Sequence, residues 1–421
     1  KLHSKDKNKY LMGGRWREFE TKQAKIKVKV LGPISWTFKR EMLWSIHGPA
    51  IRTESGVYAF RYSGYGEVRH VDQWYRMNKS NNLDEFISAM KMQAIPMFNT
   101  MYADKSGNIF YVYNALLPQR TSGSYDFSKT LPGDTPHALW GKYFDFDELP
   151  QILNPESGFL QNCNSTPFLA SIDENDIDFS FYPKNLGIET HQSNRALRAH
   201  ETFGADTSIT REEFYKYKFD NKYSKKSVLV KNLNKFLSQA ASDDENVIKA
   251  IKILKNWDQT ADSSSVGMHL AYDAILPTED PDKYKYSYLK IKERLEKAVR
   301  KYLKYYGKLD IRWGEILRMK RNDVDLPLNG GPDVLRAIHS KEKNGKRLPT
   351  AGDCFFELVE WSPSGEVSAK SLHQFGSSTR DSYSPHYSDQ SEIFAKEEMK
   401  PVLMDLEKIK KNSIRSYRPG E

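Results

Sequence analysis

PMFNTMYADKSGNIFYVYNALLPQR, residues 96–120, is the stretch whose reading decides the fold. Phe98–Asp104 and Asn108–Tyr113 are dominated by aromatic and apolar residues, and the four residues Asp104-Lys105-Ser106-Gly107 lie around the break between them. Two such runs joined by a short loop ending in Gly predict a β-hairpin. Asn99 stands at the entrance of this hairpin, and Arg120 closes it after Leu117-Pro118. Taken alone, the stretch is an ordinary hairpin with an Asn in its approach; the flanking segments decide whether it is more.

Upstream, Lys25–Leu31 (KIKVKVL) alternates basic and apolar residues, Gly32-Pro33 interrupts it, and Val57–Tyr62 returns to extended patterning. Strict alternation is the signature of a strand. Asp84–Gln93 reads as a helix capped by Asn82 or Asp84. Downstream, 121–182 is loop-rich, with Pro132, Pro136, Pro150, Pro155 and Pro167; a stretch of this kind inside an enzyme wraps a site more often than it links domains. A helical region follows over 194–306, with members at Arg211–Tyr217, Val228–Ala241, Glu245–Lys255 and Tyr288–Tyr306, interrupted at Pro277 and Pro281. Asp243-Asp244-Glu245 and Glu279-Asp280 read as helix starts. Strand text returns at Cys354–Trp361 and Val367–Phe375 around the turn Ser362-Pro363-Ser364-Gly365, and Glu392–Lys411 reads as a final amphipathic helix. Strands at both ends imply a shared sheet system, so the class is α/β or α+β with a helical lobe in the middle. The segments are 1–190, 191–310 and 311–421.

The 64 Lys and Arg against 55 Asp and Glu give a formal charge of +9. The basic residues are spread over helical faces with Glu interleaved, as in Lys290–Lys304, so the pattern is a solvated surface and not a nucleic-acid stripe. No apolar run approaches the ~18 residues of a membrane span. Cys163 and Cys354 form no metal-binding spacing and read as buried unpaired thiols rather than a bridge. The start KLHSKDKNKY has no initiator Met and no apolar signal region, and suggests that the chain begins inside a larger gene product. Signatures of a self-contained active site are missing: no G-x-S-x-G, H-E-x-x-H, Walker A loop or G-x-G-x-x-G occurs, and the histidines are scattered, so no metal site is called.

Around the hairpin, further segments follow in order: WSIHGPAI (44–51), NPESGFLQNCNSTP (154–167), WDQTADSSS (257–265), LPLNGGPDVLR (326–336), Gly352-Asp353 and QFGSSTRDSYSPHYSDQ (374–390). Together with 96–120 they resemble the penicillin-acylase-like family of N-terminal-nucleophile hydrolases, which includes acyl-homoserine-lactone acylases and aculeacin-type acylases. The resemblance runs from about Lys25 to the end and implies an αββα four-layer sandwich, here incomplete, with the helical lobe inserted. It implies hydrolysis of linear amides by a chain-starting Ser whose own α-amino group is the base, an amine that titrates near neutrality.

That Ser has no counterpart in this chain. The resemblance places it in an upstream segment, together with a small processed partner chain, and implies that this chain alone is inactive. Asn99 matches the family's oxyanion-binding Asn, and Arg120 matches an Arg that organises the site, although Asn114 stands where the strand usually has Gly. Asp104 and Asn108 match the family's turn and are expected to be structural, as are His47 of His47-Gly48-Pro49, His386, Asn162 and Asn164. The implied substrate is an N-acylated small molecule with an apolar acyl group. No cofactor is called; calcium occurs in some members, and no ligand set for it is read here. The resemblance also implies a periplasmic or extracellular location. The competing expectation is a truncated or degenerate relative serving as a non-catalytic binding module.

Overall fold

The computed structural model describes residues 1–121, 125–172, 176–276, 286–418 and 420. Pro277, Glu279, Asp280 and Pro281 lie outside the described residues. The chain divides into two compact units, Lys1–His191 and Gln192–Glu421.

In the first unit, β1 (Lys9–Met12) and β2 (Arg15–Glu18) form a small hairpin. β3 (Glu20–Leu31), β4 (Ile34–Ser45), β5 (Gly48–Thr53) and β6 (Gly56–Ala59) form an antiparallel meander. The long β3–β4 ribbon carries the alternation of its sequence into three dimensions. Ile26 pairs with Phe38 and Val28 with Trp36 on one face; Lys25 pairs with Lys39 and Lys27 with Thr37 on the other. Most of both strands is exposed on both faces. The extended patterning expected over 57–62 ends at Ala59. After the Phe60 amide bonds to the Pro49 carbonyl, Gly64 and Gly66 take positive φ and turn the chain away.

Helix α1 (His70–Lys79) precedes α2 (Leu83–Met90), where Asn82 is the N-cap and its side chain accepts from the Glu85 amide at 2.9 Å. The hairpin read from the sequence is β7 (Met97–Ala103) and β8 (Ile109–Ala115), joined by β9 (Gln151–Leu153) in the order β7-β8-β9. Phe86 and Met90 of α2 pack against Phe110, Tyr111, Val112 and Tyr113 of β8, so β8 is covered on both faces.

The second unit is a helical group followed by short antiparallel pairs. Its helices are α3 (Asn194–Ala199), α4 (Arg211–Lys218), α5 (Val228–Leu237), α6 (Glu245–Lys255), α7 (Met268–Ile275), α8 (Tyr288–Tyr306) and α9 (Trp313–Ile316). Ser193, Thr210, Ser227, Asp244 and Ser287 cap α3, α4, α5, α6 and α8 by accepting amide protons of the first turn, which fixes where each begins. Strands β10 (Arg318–Arg321) with β11 (Val324–Pro327), β12 (Ile338–Lys343) with β13 (Lys346–Gly352), and β14 (Phe355–Trp361) with β15 (Val367–His373) follow. Helices and strands share one core that runs from Tyr223 and Leu233 through Leu270, Leu295 and Trp313 to Leu372 and Phe394.

The tail departs from the single helix expected over 392–411. It breaks into α10 (Ser391–Ala395), β16 (Lys400–Pro401) and α11 (Leu406–Asn412), because Glu397 adopts φ 61° and Lys400–Pro401 pairs with Lys370 and Ser371 of β15. Strand pairing between the named strands of the described residues stays between neighbours in sequence within each unit.

Candidate active site

The entrance of the β7–β8 hairpin is held by buried amides. Gln73 of α1 is fully buried, and its Oε1 accepts from the amides of Ala94 (2.7 Å) and Ile95 (2.9 Å). Asn114 of β8, also buried, donates through Nδ2 to the Ile95 carbonyl at 3.1 Å. The residue that stands in place of a Gly thus remains in a regular strand and clamps the chain just before Asn99.

Asn99 lies on β7 opposite Tyr113, and its Oδ1 accepts a hydrogen bond of 2.7 Å from the Tyr111 hydroxyl. Burial pushes the Tyr111 phenol far above its usual range, so at neutral pH it carries its proton and acts as donor. The Tyr111 oxygen in turn receives Nδ2 of Asn162 at 3.4 Å; Asn162 also donates to the Ser165 carbonyl at 3.2 Å and accepts from the Asn164 amide at 2.9 Å. This network decides the orientation of the Asn99 amide. With Oδ1 facing Tyr111, the two Nδ2 protons are turned away and meet no acceptor among the described residues.

The other sequence-derived residues fall into separate settings. Arg120 donates from Nη1 to the Asn185 carbonyl at 2.5 Å, with its guanidinium 4.8 Å from the Phe127 ring and 5.5 Å from the Trp140 ring. Burial lowers its pKa, and its Nε lacks a hydrogen-bond partner among the described residues. Arg61 lies 5.1 Å from the same Trp140 ring and donates to the Trp140 carbonyl. Because Asn99 pairs with Tyr113 and Arg120 follows the end of β8, both belong to the end of the hairpin away from its turn.

Asp104 organises that turn. Its Oδ1 accepts from the amides of Ser106 (2.8 Å) and Asn108 (3.2 Å), and its Oδ2 from the Tyr102 hydroxyl (2.9 Å) and the Asn108 side chain (3.0 Å). Burial would raise this carboxyl, but the bonds from Asn108 and Tyr102 outweigh it and hold it below the usual range. His47 places Nε2 2.9 Å from the Gly133 carbonyl, which engages the nitrogen a general base would need. Gly48 beside it adopts φ +123°, and a Cβ there would lie 2.4 Å from the Phe60 carbonyl oxygen, so the H-G-P turn requires Gly on steric grounds. His386 pairs with Asp389 at 2.9 Å. Cys354 is an exposed free thiol and Cys163 half-buried, a correction to the expectation that both are buried.

A cavity of about 430 Å³ is lined by Phe179, Tyr182, Pro183, Lys184, Ile188 and Thr190. Glu189, between the last two of these, is close enough to act electrostatically on Tyr111 and Tyr113. Tyr111 is the residue that sequence reasoning missed. The signal was available as parity, since Asn99 and Tyr111 are both odd-numbered across a hairpin whose paired residues sum to an even number, and therefore share a face.

This geometry coincides with a family assignment: the chain belongs to the penicillin amidase family, whose model matches residues 1–411. Among named relatives, it is similar to the acyl-homoserine lactone acylase PvdQ of Pseudomonas syringae pv. syringae (strain B728a), 23% identical over an alignment of 462 residues that covers 97% of this chain and 59% of that protein. It is also similar to penicillin G acylase of Escherichia coli, 31% identical over 162 residues, which are 38% of this chain and 18% of that one. Among solved structures, the thermostable penicillin G acylase from Alcaligenes faecalis superposes with a TM-score of 0.63 at 19% identity, covering 99% of this chain and 84% of that one. The α+β fold is therefore that of a penicillin G acylase. The chain spans 59% of the length of the first of these relatives.

Proposed function

We propose that this chain is the oxyanion-binding part of an N-acyl amide hydrolase. The observation that supports this most directly is the bond from Tyr111 to Oδ1 of Asn99, which leaves the Asn99 Nδ2 protons to meet another acceptor. In the proposed reaction, the hydroxyl of a chain-starting Ser, supplied by polypeptide outside this chain, attacks the amide carbon of the substrate. The α-amino group of that Ser takes the hydroxyl proton, and the carbonyl oxygen becomes the oxyanion that Asn99 Nδ2 receives. Collapse of the intermediate expels the amine with that proton and leaves an acyl-enzyme, which water then hydrolyses.

Donors that are already oriented stabilise such charge without reorganising as it develops. Here the orientation comes from Tyr111 and Asn162, and the position along the strand from Gln73 and Asn114. Arg120, with a buried Nε that has no partner among the described residues, is the residue we assign to organising the surroundings. A substrate with an apolar acyl group fits the aromatic wealth of the first unit, and the reading carries with it a periplasmic or extracellular place of work, which rests on the family resemblance. In the whole processed protein, Asn99→Ala is expected to lower kcat on a phenylacetyl or fatty-acyl amide about 10²–10³-fold with little change in KM. Turnover by this chain alone, or an Asn99→Ala enzyme with full kcat, refutes the proposal.

A further inference from the structure

One stretch departs from the interleaving of basic and acidic residues seen on the helical faces. Residues 21–40, TKQAKIKVKVLGPISWTFKR, carry six Lys and Arg and no Asp or Glu, and they form most of the β3–β4 ribbon. The acids that bound the stretch are engaged at its base: Glu20 pairs with Lys22 at 2.9 Å and Glu41 with Arg52 at 2.9 Å. Lys25, Lys27, Lys29 and Lys39 are exposed and have no carboxylate partner among the described residues. Pairing places Lys25 directly opposite Lys39, with Lys27 and Lys29 on the same face. Like charges directly opposite one another destabilise a sheet, so a partner that neutralises this face gains by relieving the repulsion.

The reverse face is apolar: Ile26 pairs with Phe38 and Val28 with Trp36. Beyond them the turn at Gly32-Pro33 presents Leu31 and Ile34. Leu31 is 74%, Ile34 62% and Trp36 64% exposed, so none of them is held in a core. The main chain limits how such a ribbon can be covered. β3 is the edge of its sheet, and β4 meets β5 only at Leu43–Ser45, so over Lys25–Lys39 both edges are open among the described residues. Unpaired N–H and C=O groups exclude the hydrocarbon interior of a bilayer, where each costs several kcal/mol. They do not exclude its headgroup region, which is wet. A nucleic acid would meet the lysines and leave the apolar face in water.

We propose that the β3–β4 ribbon docks on an anionic lipid surface. Its apolar face, with Ile26, Val28, Trp36 and Phe38, lies in the boundary between headgroups and acyl chains, to a depth of about 5–10 Å. Lys25, Lys27, Lys29 and Lys39 stand on the opposite face, level with the headgroups, and their long stems let the ammonium groups reach phosphate oxygens. The same division of faces, Lys on one and Trp and Phe on the other, holds an amphipathic helix in the plane of the interface. Here two strands supply it, and the unpaired edges keep it shallow. The proposal does not depend on the reading of Asn99.

Co-sedimentation with phosphatidylcholine vesicles, with and without phosphatidylglycerol, tests the proposal on this chain and on the whole processed gene product. Both are expected to bind the anionic vesicles and to leave the neutral ones nearly bare. Binding should weaken as added salt shortens the Debye length from about 30 Å at 0.01 M to about 8 Å at 0.15 M. Lys27→Gln and Lys29→Gln are each expected to lower the partition coefficient about fivefold, and Trp36→Ser about tenfold. Lys255→Gln, at an exposed position of α6, should leave it unchanged. All four positions are exposed, so thermal unfolding should not move. Equal binding to both kinds of vesicle, or to neither, overturns the proposal. So does full binding by Trp36→Ser beside weakened binding by the lysine variants, which reduces the ribbon to a general attractor of polyanions. Binding by this chain that the whole product lacks assigns the face to polypeptide outside this chain. Self-association without lipid that Trp36→Ser abolishes assigns it to a second copy. Either result refutes the docking on lipid.

Discussion

Replacing Asp273 by Asn is expected to be among the most damaging single changes in the second unit, and the structure gives the reason. The carboxylate sits on α7 with its side chain 12% exposed and accepts from Lys301, from Arg347 and, at 2.8 Å, from the Tyr302 hydroxyl. Lys301 has a second partner in Glu342 at 2.8 Å, whereas Arg347, itself buried, has no second carboxylate among the described residues and lies with its guanidinium 3.7 Å from the Tyr272 ring. Asp273→Asn therefore leaves a buried guanidinium without a counter-charge, which costs about 3–5 kcal/mol. Arg347→Met leaves the carboxylate with Lys301 and Tyr302 and is expected to cost about 1.5–3 kcal/mol.

Burial alone would raise the Asp273 carboxyl, but Arg347 and Lys301 outweigh it and hold it below the usual carboxylate value. A depressed folded pKa contributes stability that is complete above the unfolded value of about 3.9 and is lost as the pH falls through the folded one. The gap between wild type and Asp273→Asn should therefore narrow below about pH 4. Urea denaturation read by hydrogen exchange in α7 and α8 isolates this unit from the other. The reasoning fails if Asp273→Asn costs no more than Arg347→Met, or if the gap is the same at about pH 7 and about pH 3.

Two further outcomes follow from the first unit. Gln73→Ala leaves the buried amides of Ala94 and Ile95 without an acceptor, about 1–3 kcal/mol for each, and is expected to lower the urea midpoint and speed exchange at both amides. Tyr111→Phe frees the Asn99 amide to rotate; in the whole processed protein, kcat should fall about ten- to a hundredfold with KM nearly unchanged, and an unchanged kcat would show that Asn99 does not depend on Tyr111 for its orientation.

Local chemistry was legible in the sequence where it acts through neighbours. The Gly-containing turn and aromatic runs of β7–β8 marked the hairpin, and the ends of α6 and α8 fell where Asp244 and Ser287 cap them. Helix α1 was not read, and α7, though inside the region read as helical, was not delimited, for opposite reasons. In α1 the buried residue is Gln73 while Val71, Trp74 and Tyr75 are exposed, so its apolar residues do not mark the inward face. In α7 nearly every residue from Met268 to Ile275 is buried, so there is no polar face to set a period. The tail was misread because its helical spacing is overridden by the pairing of Lys400–Pro401 with β15.

The candidate site divides the same way. Asn99, Arg120, Asp104 and His47 were reached through motif resemblance. Tyr111 and Gln73 act across 12 and 21 or more positions, and only the register of β7 on β8 and the packing of α1 reveal them.

The β3–β4 ribbon bears on how this protein reaches its folded state. Its pairing partners are separated by a few to some two dozen residues, so it can close on the microsecond scale of an isolated hairpin. The second unit must bring Tyr223 to the neighbourhood of Phe394 before its core exists, and contacts that distant form far more slowly. During synthesis the ribbon therefore stands finished while much of the chain is still unformed. Throughout that interval Ile26, Val28, Trp36 and Phe38 are presented to whatever collides with them. The lysines at 25, 27, 29 and 39, on the reverse of the same strands, then act as gatekeepers, placing repulsion between ribbons of neighbouring chains where apolar alternation alone would invite them to stack.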